Sequence, residues 1–194
     1  MNKIECDNLF PQRVWSTKLN LDCKKLEHFV YALEKQDKKG AKKSNANGWQ
    51  SQSIISNEFN DDTFTELVDN IHDIVNACAE SSKLPSLSIS NLWFNINRGY
   101  CYNSPHTHPK SVFSGVFYIK ANGNEGEIEF LRDDDSQNFL PELTEPPSFY
   151  TSHSKKYTPE VNTLLVFGSW MKHWVIPNLT KLDRISVSFN TYVK

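Results

Sequence analysis

Hydrophobic positions along the chain change period near residue 86. Before it they recur at helical spacing: Leu21, Leu26, Phe29, Val30 and Leu33 mark one helix to about Lys35, with Asn20 as its cap. Phe64, Leu67, Val68, Ile71, Ile74, Val75 and Cys78 form the apolar stripe of a second helix, capped by Asn60 and Asp61 and ending near Ser81, before Pro85. His72 lies off this stripe, and it and His28 read as surface residues. Residues 8–17 read as a short strand ahead of both helices.

After residue 86 the pattern alternates. Residues 87–97 carry Leu92, Phe94 and Ile96 on one side and Trp93, Asn95 and Asn97 on the other. Further strands are predicted over 111–120, 127–130, 163–167, 173–176 and 185–192, separated by turns at 98–100 and between Gly123 and Gly126. Residues 132–138 and 141–147 read as polar loops. Residues 38–49 are polar, basic and Gly-containing, hence a loop. Its plain reading is a solvated connection, and its sharper one a mobile flap with Trp49 as an apolar tip. Two helices and then at least seven short strands predict an α+β chain. Its core is a double-sheet jelly roll of the cupin kind over 86–194, supported by helices within 1–85 in a single domain.

Composition narrows the function classes. A length of 194 residues suits one well-buried core, and a net charge of -2 gives no general case for nucleic-acid or membrane binding. No apolar run approaches a membrane span, and the first residues lack a secretory h-region. Cys6, Cys23, Cys78 and Cys101 are far apart without CxxC spacing, which predicts reduced thiols in a cytoplasmic protein. A homo-oligomer is compatible with all of this.

The candidate chemistry lies in three blocks. Pro105-His106-Thr107-His108-Pro109 holds two imidazoles one residue apart, which on an extended strand share a face, between prolines that fix the backbone. His173 follows a buried-looking strand and a turn, and Arg184-Ile185-Ser186 comes on the next strand. An isolated HxH is weak, since two polar residues on a half-exposed strand explain it; the ordered set is more specific. It reads as three imidazoles on a metal, with an arginine holding an anion beside it.

With these blocks, Ser114-Gly115-Val116-Phe117-Tyr118-Ile119, Gly126-Glu127-Ile128-Glu129-Phe130, Leu164-Leu165-Val166-Phe167 and His173-Trp174-Val175-Ile176-Pro177, the chain resembles the Fe(II)- and 2-oxoglutarate-dependent oxygenases. The likeness is to the prolyl-hydroxylase-like branch, over about residues 92–190. It implies a double-stranded β-helix, with His106 as first iron ligand and His173 as the distal one. His108 falls where most members carry aspartate. A third neutral imidazole makes the site one unit more positive, which strengthens the pull on dianionic 2-oxoglutarate and loosens the preference for Fe(II) over zinc or nickel. Arg184 matches the arginine that forks onto the distal carboxylate, with Ser186 and Tyr118 adding hydroxyls and Asn95 reaching the other end of the co-substrate or the substrate. Arg98, Trp49 and Trp170 are expected at the substrate entrance.

The implied reaction couples decarboxylation of 2-oxoglutarate, with O₂, to hydroxylation of a substrate C–H, a peptide or protein residue being the first expectation. Two alternatives stand beside it: a cupin-type metalloenzyme that does not use 2-oxoglutarate, and a non-catalytic jelly-roll binding domain. An Arg184 turned to solvent favours the former; imidazoles held apart favour the latter.

Overall fold

The structure, a computed structural model, describes residues 3–55, 58–138, 148 and 150–193. The loop expected over 141–147, Glu142 included, lies outside them. Helix α1 spans Cys23–Gln36 and is capped by Asp22, not Asn20: the Asp22 carboxylate accepts from the Lys24 and Lys25 amides. Helix α2 spans Asp62–Ser81, with Asp61 accepting from the Phe64 amide at 2.9 Å. Its predicted stripe is buried except for half-buried Ile74.

The strands are β1 (Val14–Lys18), β2 (Asn45–Ala46), β3 (Trp49–Gln50), β4 (Leu87–Asn97), β5 (Tyr102–His106), β6 (Phe113–Lys120), β7 (Ile128–Leu131), β8 (Ser154–Tyr157), β9 (Thr163–Gly168), β10 (His173–Val175) and β11 (Arg184–Val193). They form two sheets with antiparallel pairing throughout, ordered β1-β9-β6-β11-β4-β3 and β2-β5-β10-β7-β8. β2, β3 and β8 escaped the sequence pattern. Two of them are two residues long, and β8 reads Ser-Lys-Lys-Tyr, without apolar alternation.

Alternation along β4 divides the interior. Leu92, Phe94 and Ile96 join α1 and α2 in one apolar cluster, where Phe29, Phe59, Phe64 and Phe94 rings pack at 5.1–6.4 Å. Each such ring contributes about 1.5–3 kcal/mol by leaving water. On the opposite face of this sheet Val116, Tyr118, Leu165 and Phe167 meet Ile128 and Phe130 of the smaller sheet. The space between the sheets is thus apolar at its β7–β9 side and polar where Trp93 and Asn95 point in.

Trp49 is not the exposed apolar tip expected of a flap over residues 38–49. Trp49 is 6% exposed, pairs with Ile96 through β3, and donates its indole N–H to the Asp37 carbonyl at 2.7 Å. Gly40, at φ +55°, lies so close over it that a Cβ would come 2.4 Å from the Gln50 carbonyl oxygen. The large indole surface gains more from the core than from a mobile tip. Among the described residues no helix is long and apolar enough to cross a membrane.

Candidate metal and co-substrate site

Antiparallel pairing of β5 with β10 sets His106 directly opposite His173, the last residue of one strand against the first of the other. His108 is two residues past the end of β5, so it does not share a strand face with His106 as its spacing predicts. Its backbone amide donates to the Ser169 carbonyl at 2.9 Å, and this bond turns it back toward the pair. Ring centroids are 4.5 Å apart for His106–His173, 4.9 Å for His106–His108 and 5.2 Å for His108–His173. The candidate donor atoms all lie within 4.8 Å of one another, and among the described residues no carboxylate or thiol joins them.

Hydrogen bonds fix two of the tautomers. Nδ1 of His106 faces the Ser104 carbonyl at 2.7 Å and Nδ1 of His173 faces the Met171 carbonyl at 2.8 Å. A carbonyl only accepts, so Nδ1 carries the proton and Nε2 presents its lone pair. Desolvation keeps the rings neutral. Burial, then the neighbouring imidazoles, push His108 down to about 3; burial and His106 push His173 down to about 4; burial also lowers His106. Phe130 and Phe167 supply much of that dry surface, at 5.7 and 4.8 Å from the His173 ring. Three neutral imidazoles with converging lone pairs suit a divalent transition metal, whose bonds to nitrogen are about 2.0–2.1 Å.

Three rungs of the larger sheet line the cavity beside them. β11 lies between β4 and β6, and its register aligns Ser186 with Asn95 on one side and Tyr118 on the other, and Ser188 with Trp93 and Val116. Arg184, opposite Asn97, begins β11 and is 3% exposed. Its Nη1 donates to the carbonyls of Glu125 at 3.3 Å and Gly126 at 2.5 Å, while Nε is buried without a partner. Gly126 is required in this turn for a separate reason: at φ +89°, a Cβ would sit 2.2 Å from the Ile176 carbonyl oxygen. The Glu125 carboxylate shapes the turn by accepting from the Asn122 and Asn124 amides. Burial lowers the Arg184 pKa, opposed by Tyr118 and Glu125, and leaves a guanidinium charged at neutral pH. Burial pushes the Tyr118 phenol up to about 12, so it remains a donor.

His106, His108, His173, Asn95, Tyr118, Arg184 and Ser186 therefore line one cleft. Arg184 faces this cleft and not solvent. The three expected entrance residues are absent from its lining. Trp49 is in the core. Arg98 forks onto Glu34 of α1 at 2.7 and 2.9 Å, a carboxylate within reach of its strand turn. Trp170, 59% exposed, lays its ring over Gly168, where a Cβ would meet it at 2.5 Å. Trp93, Ser188, Asn103, Val175 and Ser44 line the cleft instead. Trp93 and Ser188 were legible, two residues from Asn95 and Ser186 on the same strands; Ser44 was not, because it arrives through β2.

Facing sheets around neutral imidazoles and a buried guanidinium define a site with the donors for a divalent cation and an organic anion. Residues 91–190 match the family described as "Putative 2OG-Fe(II) oxygenase", and the chain belongs to that family, which uses Fe(II), 2-oxoglutarate and O₂. No curated protein sequence matches significantly. The fold is similar to that of a Pseudomonas putida prolyl-4-hydroxylase (TM-score 0.64, 13% identity, covering 93% of this chain and 92% of that one). It is similar also to a Trichoplax adhaerens prolyl hydroxylase in complex with a hypoxia inducible factor peptide fragment (TM-score 0.65, 13% identity, 92% and 83% covered). HygX of Streptomyces hygroscopicus, solved with nickel and 2-oxoglutarate bound, is a third likeness (TM-score 0.64, 10% identity, 93% and 83% covered).

Proposed function

We propose that this chain is an Fe(II)- and 2-oxoglutarate-dependent hydroxylase acting on a C–H bond of a peptide or protein residue. The observation that carries the reading is the meeting of three lone-pair-bearing imidazoles and one incompletely paired, buried guanidinium in a single cleft. His106, His108 and His173 hold the metal. When bound, Fe(II) with 2-oxoglutarate supplies the oxidising equivalents for hydroxylation from O₂. Arg184 binds the distal carboxylate, its planar donors suiting two oxygens at once, and the Tyr118 and Ser186 hydroxyls assist from the adjoining rung. Asn95 and Trp93 line the wall on which the co-substrate's other end and the reacting group are oriented. Phe130 and Phe167 exclude water behind His173.

The strand order supports a double-stranded β-helix: from β4 onward successive strands pass between the two sheets, with β7 and β8 the one consecutive pair sharing a sheet. The apolar cluster shared by both helices and the larger sheet supports a single domain. Four cysteines without disulfides support a cytoplasmic setting. Purified Fe(II)-loaded protein should release succinate from 2-oxoglutarate only when O₂ is present, and His173→Ala should abolish it. Metal binding without 2-oxoglutarate consumption would return the protein to the cupin-type metalloenzymes.

A further inference from the structure

Residues 35–43 contain five lysines (Lys35, Lys38, Lys39, Lys42 and Lys43) and one acid, Asp37, in a chain whose net charge is -2. All five lysines are exposed, and among the described residues none makes an ion pair. Nearby carboxylates are engaged elsewhere: Asp37 accepts from the Gly40 amide and the Gln52 side chain, and Glu34 is held by Arg98. The segment is also pinned. The Ala41 amide donates to the Gln50 carbonyl at 2.8 Å, the Asn45 side chain donates to the Ala41 and Gly48 carbonyls, and Trp49 anchors Asp37. Fixing like charges side by side costs repulsion that a solvated, freely moving loop avoids.

What the segment is pinned to matters. β2 pairs with β5, Asn45 opposite Asn103, and the Ser104 amide donates to the Ser44 carbonyl at 2.9 Å. Ser44 lines the cleft and accepts from the Asn103 side chain. Lys43 directly precedes Ser44, so the basic segment leads up to the lip of the cleft that holds the imidazole cluster. We infer that residues 35–43 form a fixed basic rim that seats an acidic polypeptide segment next to the residue to be hydroxylated. The inference rests on the hydroxylase reading and names its substrate class. A small anion needs converging donors, whereas charges spread over nine residues match an extended polyanion. A peptide is favoured over nucleic acid, because the segment has no arginine to fork onto phosphate and its only aromatic neighbour in the loop, Trp49, is buried and offers no stacking face.

The test uses metal-loaded, full-length protein and three probes: a glutamate-rich peptide, the same peptide with glutamine replacing glutamate, and a single-stranded oligonucleotide of matched charge. The glutamate peptide should bind most tightly, with affinity falling as salt rises. The variant Lys38→Gln/Lys39→Gln/Lys42→Gln/Lys43→Gln should weaken it about tenfold or more. Lys155→Gln/Lys156→Gln, equally exposed on β8 at the far edge of the same sheet, should leave it unchanged. Equal binding of the glutamine peptide, tighter binding of the oligonucleotide, or equal loss in the β8 variant would overturn the proposal. 2-Oxoglutarate binding to the wild type is measured separately; its absence defeats the hydroxylase reading, while the peptide series still decides whether the rim is acid-selective.

Discussion

Replacing Arg184 with methionine removes the guanidinium while keeping much of the side chain's length and apolar stem. Two charge-assisted hydrogen bonds to a carboxylate, each about 1.5–3 kcal/mol, would be lost from the complex, so affinity for 2-oxoglutarate should fall about 100–10,000-fold. Stability without co-substrate should change much less, because two opposing effects meet. The carbonyls of Glu125 and Gly126 lose their Nη1 donor. Against that, a cation 3% exposed, with Nε unpartnered, no longer has to be kept out of water. The net should be about 1–2 kcal/mol or less, a few degrees in Tm for a chain this size. Thermal melts of metal-loaded protein with and without 2-oxoglutarate separate the two. At a hundredfold excess over Kd the wild type gains about 2.7 kcal/mol, roughly 5–10 °C, and the variant should gain almost nothing at that concentration. A variant that keeps its affinity within tenfold, or that unfolds outright, refutes the assignment of Arg184 as an anion clamp.

Other expectations follow from the same geometry. His108→Asp replaces an imidazole with a carboxylate donor; metal competition should show a shift from zinc and nickel toward Fe(II), with succinate release retained. For the metal-free protein, the depressed histidines set a pH window. Below about 6.5 the unfolded chain takes up protons that folded His108 and His173 refuse until pH falls to about 3 and about 4. Stability should therefore drop between pH 6.5 and 4 by up to ~1.4 kcal/mol per pH unit for each histidine, and a flat denaturation profile there argues against buried neutral rings. Trp49→Ala should cost about 3–5 kcal/mol in urea unfolding, as for a core aromatic; a silent substitution would restore the flap.

Much of this molecule could be read along the chain because short-range physics sets it. Periodicity alone located α2 and all of β4, since an apolar stripe at 3.6 residues and an alternation at two have no other stable use. The ordered blocks at His106, His173 and Arg184 pointed to their chemistry because few side chains serve as neutral metal donors or forked anion clamps. Contacts between distant segments were decided by the tertiary structure. His108 reaches the cluster through an amide bond to Ser169, sixty-one residues on, and not by sharing a strand with His106. Trp49 is core and Arg98 is tied to α1, because each found a partner that no local pattern reveals. The same holds for the lysines of residues 35–43. Their charge is written in the sequence, but a two-residue strand pairing with β5 is what ties the end of their segment, at Ser44, to the cleft.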